Sequence, residues 1–405
     1  MPSAAVARYY AYKATKAVEL YRPIMYLYFA GAGLSFFQIT VLEAAYNVTT
    51  VLGEIPTGYL GDRIGRRDGL IVGTSVIALT LLGLGLAGRL DESRAFPAFL
   101  GLYVCWSLGY TFRSGTEDAW LYDSLVGDGR SFSDLRGRGE SFALAAGVVA
   151  AVAGGYLAAV DLAYPFFAAA AVTALGAVIL LTVDADDDDP ADRTTLSATL
   201  DAVRAAFADR RLRAFLVLYY VLFAATTYLA FIFLQPRIEA VAAGYPLGDV
   251  ETLLGWYYAA ISLAAAGFTY RAEWIRAVVG LRAWFLVVPL AVGLLLVGQW
   301  VLPVSAFLAF VLVRGLSEAT RVFASQYVND RIDAVGRATT LSAMSMVSGL
   351  AVVPFQLGSG LLSDAVSPGA ALAAAGVVLF VGTVAVHLLS VPVDGGESGR
   401  HWRDW

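Results

Sequence analysis

This chain of 405 residues has little charge. Asp, Glu, Lys and Arg together make up 15% of it, against roughly a quarter in an ordinary soluble domain. A single cysteine, Cys105, excludes an internal disulfide and a thiolate metal cluster. The two histidines, His387 and His401, lie near the far end and give no zinc-ligand spacing. There is no glycine-rich phosphate loop with its lysine; lysine occurs only at Lys13 and Lys16. A net charge of −5 and the lack of an arginine-rich domain argue against nucleic acid as a partner. No catalytic constellation, metal or cofactor is expected.

What is abundant is apolar sequence, at 59% of residues. Runs long enough to cross a hydrocarbon layer, about 20 residues each, recur from end to end. They do not alternate in segments of about ten as barrel strands would, so the backbone must satisfy itself in helices. Twelve spans are expected, at about 17–34, 38–60, 69–88, 96–124, 139–160, 162–183, 211–234, 249–270, 278–298, 302–328, 338–362 and 368–391. Arg8 to Lys16, with three tyrosines among basic residues, reads as a short interfacial helix leading into the first.

Arginine and lysine fix the expected orientation. With both termini inside, 22 basic residues fall in cytoplasmic segments and only Arg89, Arg94 and Arg237 in outer loops. The longest polar interruption, Asp184 to Arg213, holds the acidic run DADDDDP and then an amphipathic stretch with Leu196, Leu200, Val203 and Phe207 on one face. Dense like charge keeps such a run extended and solvated. The fold class expected is therefore an all-α polytopic membrane protein of two pseudo-symmetric six-helix bundles. Residues 1–185 form the first, 186–210 a cytoplasmic linker with an amphipathic helix, and 211–405 the second bundle and a short tail.

Charges inside spans are expensive, so they mark a bundle interior or an aqueous path. RSGTEDAW in the fourth span and RGLSEATR in the tenth both set Arg, then Gly, then an acid four residues after the Arg, as equivalent helices of two halves would. Arg113 and Arg314 are candidates to attract a polar or anionic solute group. Glu117 and Glu318 either take a proton or hold those arginines in place; internal salt bridges with no transport role are the alternative. Asp118, Asp123 and Arg321 lie close by. In the second span, Glu54 is a candidate for proton coupling or gating, or pairs with a nearby Arg. Glu43 either couples or faces outside water. Tyr219, Tyr220, Tyr228, Trp256, Tyr257 and Tyr258 either line an amphipathic pocket or anchor at the interface.

One segment demands several residue types in fixed order: GYLGDRIGRR, with Gly58, Leu60, Asp62, Arg63, Gly65, Arg66 and Arg67 between the second and third spans. On this segment the chain resembles the major facilitator superfamily over nearly its whole length. The resemblance implies that Asp62 and the basic residues form a cytoplasmic gate clasping neighbouring helices, with Asp62 at the start of the third span, where free N–H groups favour an anion. The second-half loop near Arg271, Glu273 and Arg276 does not repeat the signature. Around Gly154 and Gly155 the fifth span is similar to a glycine-rich antiporter motif, with Ala151 at its proline position and Ala146 and Ala150 at glycine positions.

The function this implies is secondary transport of a small organic solute by alternating access, coupled to a proton gradient, with export of an amphipathic compound preferred. Import of an organic anion or nutrient, and a non-transporting receptor or scaffold, are the alternatives. The protein is expected to work as a monomer in the cell membrane. A reporter that fluoresces only in the cytoplasm, fused to either terminus, is expected to be bright; a dark fusion at one end would contradict the even number of spans.

Overall fold

The computed structural model describes residues 4–114, 117, 132–183, 208, 210–331, 337–390 and 392–393, and among these there is no strand. Among the described residues, eight helices are long and apolar enough to cross a membrane by themselves. They are α4 (Arg66–Ala87), α5 (Glu92–Arg113), α6 (Phe132–Ala158), α7 (Tyr164–Leu181), a composite of α8 (Arg210–Leu216) and α9 (Ala224–Ala242), α12 (Leu281–Val301), α14 (Arg337–Ala365) and α15 (Pro368–Leu389). Four further spans complete twelve. These are α3 (Phe36–Ile64), α10 (Val250–Tyr270), α13 (Ala306–Asn329) and a first span in two pieces, α1 (Ala4–Ala17) and α2 (Met25–Gly31). A short helix, α11 (Ala272–Val279), lies between α10 and α12.

The first span differs most from the reading of the sequence. Residues 8–16 are not an interfacial helix; they belong to α1, which packs lengthwise on α6. A Cβ at Gly139 would lie 2.8 Å from the Tyr9 ring, one at Gly147 would lie 3.5 Å from the Ala17 carbonyl oxygen, and one at Gly154 would overlap the Leu20 carbonyl. The span therefore begins near Ala4, with α1 and α6 running parallel. Val6, Tyr9 and Tyr12 bury themselves with Leu70, Leu135 and Leu180. Between α1 and α2 the helix is interrupted over residues 18–24 and held by turn-like bonds, Arg22 N to Glu19 O at 2.9 Å and Ile24 N to Tyr21 O at 3.1 Å. Pro23 lacks an N–H and disfavours helical geometry at Arg22, which is why the break falls there.

Other boundaries shift for identifiable reasons. The second span runs on through the signature to Ile64, begun by a capping box in which the Ser35 side chain and Gln38 serve each other. Gly65, at φ +88°, makes the entire turn into α4, a conformation other residues adopt only with strain. The fourth span is expected from the sequence to reach 124, but α5 ends at Arg113, where Ser114 is extended. In the seventh span, residues 217–223 are π-helical between α8 and α9; the Ser348 hydroxyl donates to the Tyr220 carbonyl at 2.9 Å, serving an acceptor in the widened turn. Asp118, Asp123, the acidic run and the linker helix at 196–207 lie outside the described residues.

The chain divides into two compact units. One comprises Met1–Arg193 and Ile238–Leu263, the other Thr194–Arg237 and Ala264–Trp405. Most of α10 belongs to the first because its backbone touches α6. A Cβ at Gly155 would lie 2.7 Å from the Glu251 carbonyl oxygen and 2.9 Å from the Gly255 Cα. Small residues that let two backbones meet are the usual means of helix association in lipid. The same unit also packs on aromatics: Phe29 on Phe99 at 4.9 Å and Tyr28 on Phe166 at 4.6 Å.

Gly154 has no room for a side chain: a Cβ there would also come within 2.8 Å of the Leu20 carbonyl carbon. Gly137, on the same helix, has nothing within 4 Å. Gly154→Ala is expected to destabilise the protein by about 1–3 kcal/mol, read as a fall of several degrees in thermal unfolding in detergent. Gly137→Ala is expected to show no loss, since alanine is the better helix former. Equal behaviour of the two variants would contradict the packing described.

Candidate functional site

The interruption in the first span sets charge inside the bundle. Arg22 reaches back to Glu19 with two donors, Nε to Oε2 and Nη2 to Oε1, each at 2.8 Å. The Tyr21 hydroxyl donates to the same carboxylate at 3.2 Å. Both members of the pair remain partly open, at 33% for Arg22 and 39% for Glu19. An open ion pair in a spanning segment is tolerable only where water or a polar partner reaches it.

Aromatic rings surround the pair. Tyr21 stacks on Phe166 at 5.4 Å and meets Trp106 edge-on at 5.4 Å. Tyr46 of α3 lies 6.0 Å from Trp106 and 6.2 Å from the exposed ring of Tyr110. Behind this wall the buried Glu43 accepts hydrogen bonds from Tyr26 at 3.0 Å and Tyr103 at 3.1 Å. Ser107 ties α5 to α3 through the Tyr46 carbonyl at 3.0 Å and Thr50 at 2.8 Å. The Asn47 amide nitrogen is buried and has no hydrogen-bond partner among the described residues. The wall thus offers a forked cation, a carboxylate and ring faces.

Glu117 stands elsewhere. Its carboxylate is held by Lys13 at 2.6 Å and by Lys16, the chain's two lysines, and Lys13 also reaches Glu140 of α6 at 2.8 Å. Two positive and two negative side chains balance, tying α1 to the segment after α5 and to α6. Because α5 stops at Arg113, the spacing of four that would pair Arg113 with Glu117 on a helix does not apply. Arg113 is buried, and its Nε has no hydrogen-bond partner among the described residues. In the tenth span the helix is intact and the expected register holds. Glu318 binds Arg314 at 3.0 Å and Arg321 at 2.6 Å, and the Arg314 side chain is half exposed.

Glu54 lies half-buried on α3, and its carboxylate has no partner among the described residues. In the signature hairpin, the Arg67 guanidinium donates to the carbonyls of Leu180 at 3.3 Å and Leu181 at 3.1 Å, capping the C-terminal end of α7. Arg63 lies over the Tyr59 ring at 4.4 Å. Gly58 is open, with nothing near a Cβ there, and Arg66 is half-buried. The Asp62 side chain lies outside what the structure describes. Of the aromatic candidates in the second half, Tyr219 is in the core and donates its hydroxyl to the Phe285 carbonyl, Tyr258 is buried, and Trp256 is exposed.

Reasoning from the sequence missed Glu19, Arg22, Tyr46 and Trp106 as a group. The available signal was Pro23, directly after a charged residue in an apolar run. It also missed Arg237, which lies inside α9, not in an outer loop, and donates to the buried Gln299. Gln299 donates in turn to the Gly369 carbonyl at 3.0 Å, so the ninth and twelfth spans are joined through a polar side chain.

Comparison with known proteins extends these findings. Residues 16–354 match the family model of the Major Facilitator Superfamily. An uncharacterized MFS-type transporter, YxaM of Bacillus subtilis (strain 168), is 22% identical over 160 residues, which is 39% of this chain and 38% of that relative. Among solved structures, a mutant form of the nucleoside transporter NupG matches with a TM-score of 0.80 at 14% identity, over 94% of this chain and 98% of that one. A POT family transporter in complex with 5-aminolevulinic acid matches with a TM-score of 0.71 at 13% identity, over 95% of each chain. At these identities the likeness is one of fold. With the family model covering most of the sequence, the chain belongs to the major facilitator superfamily and is a multi-pass membrane transporter, not an enzyme.

Proposed function

We propose that this transporter exports a small amphipathic organic solute in exchange for protons, by alternating access, as a monomer in the cell membrane with both termini in the cytoplasm. One observation carries the reading: the broken first span holds a partly exposed Glu19–Arg22 pair beside Tyr21, Tyr46, Trp106 and Tyr110. Ring faces suit an apolar or aromatic body, and the two charges suit a polar head. The solutes named for two fold neighbours, nucleosides and 5-aminolevulinic acid, are likewise small organic molecules.

For the proton we assign Glu54, which can exchange one without breaking an ion pair to any described residue. Glu43 is its companion deeper in the wall, oriented by Tyr26 and Tyr103. The segment Gly58, Asp62, Arg63, Gly65, Arg66 and Arg67 serves as the cytoplasmic gate, with Arg67 fastening it to the end of α7. Glu117 acts as the clamp that holds the inner arm of the first span, and the bundles divide near residues 186–210. A second reading, import of an organic anion, is favoured by one feature. Arg314 is half exposed in a three-member cluster, with Glu318 and Arg321, that carries one net positive charge.

Sealed vesicles with an imposed proton gradient and a panel of amphipathic solutes test this. Wild type is expected to show solute-dependent proton flux. Glu54→Gln is expected to retain solute exchange but lose proton flux, and Arg22→Gln to lower solute flux about 10-fold or more, the cost of one charge-assisted contact. No solute-dependent proton flux across the panel would reject coupling. Normal coupling in Glu54→Gln would reject that residue as the carrier.

A further inference from the structure

The eighth and ninth spans are joined by a helix of a different kind. The helix α11 makes about two turns between the end of α10 at Tyr270 and the turn at Gly280, whose φ is +75°. One face belongs to the protein: Ala272 is buried, and Arg276 Nη1 donates to Gln326 Oε1 of α13 at 3.1 Å. The opposite face is apolar and bare. Trp274 is 60% exposed and Val278, one turn on, 65%, while Tyr270, one turn before Trp274, is 86% exposed. Exposed arginines flank it, Arg271 at its start and Arg282 just past its end, and Glu273 is its one acid.

A short amphipathic helix at the end of two spans, with tryptophan on its outer face and arginine at both ends, matches the chemistry of a membrane–water boundary. Beyond the glycine turn, α12 leaves Leu286 and Val287 exposed, as a spanning helix does toward lipid. Along the chain, the apolar face of α11 with Trp274 and Val278 comes directly before that surface. A cytosolic partner would need no such continuity with the hydrocarbon.

We propose that α11 lies in the headgroup layer, with Trp274 and Val278 among the ends of the acyl chains, and that Arg271 and Arg282 bind the phosphate of anionic phospholipids. The consequence is mechanical. Through Arg276 and Gln326 the helix is fastened to α13, which carries the Arg314–Glu318–Arg321 cluster, so the lipid around α11 bears on a charged span. This is independent of which solute is carried.

The test uses the full chain with Cys105→Ser, carrying a nitroxide on either Val278→Cys or Glu273→Cys, in phosphatidylcholine vesicles with and without phosphatidylglycerol. Position 278 is expected to favour oxygen over a water-soluble nickel chelate and position 273 the reverse. Quenching of a probe at 278 by brominated phosphatidylglycerol is expected to exceed that by brominated phosphatidylcholine, with an anionic preference on the order of tenfold. The double variant Arg271→Gln with Arg282→Gln is expected to lose that preference while unfolding at the same temperature. Equal access of the chelate at 278 and 273 overturns the proposal. So does a lipid preference unchanged in the double variant, and so does shielding of 278 that appears only when a cytosolic fraction is added.

Discussion

The first span can break where it does because α6 offers it a glycine. The Leu20 carbonyl occupies the space that any side chain at position 154 would need, and the parallel contacts at Gly139 and Gly147 lead up to that point. With the helix opened over residues 18–24, Glu19 and Arg22 meet as neighbours on a turn, and Tyr21 swings between Trp106 and Phe166. The aromatic wall and the charge pair thus follow from one close approach of two backbones. A continuous helix would place Glu19 and Arg22 on its surface but would not draw the backbone of Leu20 onto α6.

Among the described residues, several charges are answered by a partner. Glu19 has Arg22, Glu117 has both lysines, Glu318 has two arginines, and Arg67 has the carbonyls that end α7. Removing one member of a buried pair typically costs about 3–5 kcal/mol, while replacing the whole pair with apolar groups is often neutral. The clusters are therefore better understood as fixing which helices meet than as net stabilisers. Lys13 and Glu117 are the clearest instance, at 8% and 7% exposure, since they join the start of the chain to a residue beyond the fourth span. Glu54 is a half-buried carboxylate with no partner among the described residues.

Much of the fold was legible because membrane helices advertise themselves. Long apolar runs separated by polar turns gave twelve spans, and the register of Arg314 and Glu318 on an unbroken helix gave their pairing directly. The first span was misjudged because Lys13, Lys16, Glu19 and Arg22 depress any local measure of apolarity. Their charges are answered within the bundle, in the case of the lysines by residues more than a hundred positions away. For the same reason, Glu117 could not be assigned its partners from spacing: the helix ends at Arg113, and the lysines come from another element. The hairpin signature was recognisable as residues in order, but the bonds from Arg67 to the end of α7 required the packing.

The central claim is that the break in the first span lines a water-filled path. With Cys105→Ser as background, single cysteines at Arg22→Cys and Tyr46→Cys can be compared with Leu79→Cys and Leu175→Cys, whose side chains are exposed on the apolar surfaces of α4 and α7. In sealed vesicles treated with a charged thiosulfonate on each side in turn, the account predicts reaction at 22 and 46 from at least one side and none at 79 or 175. Cysteines at 22 and 46 as inert as the one at 79 would contradict it.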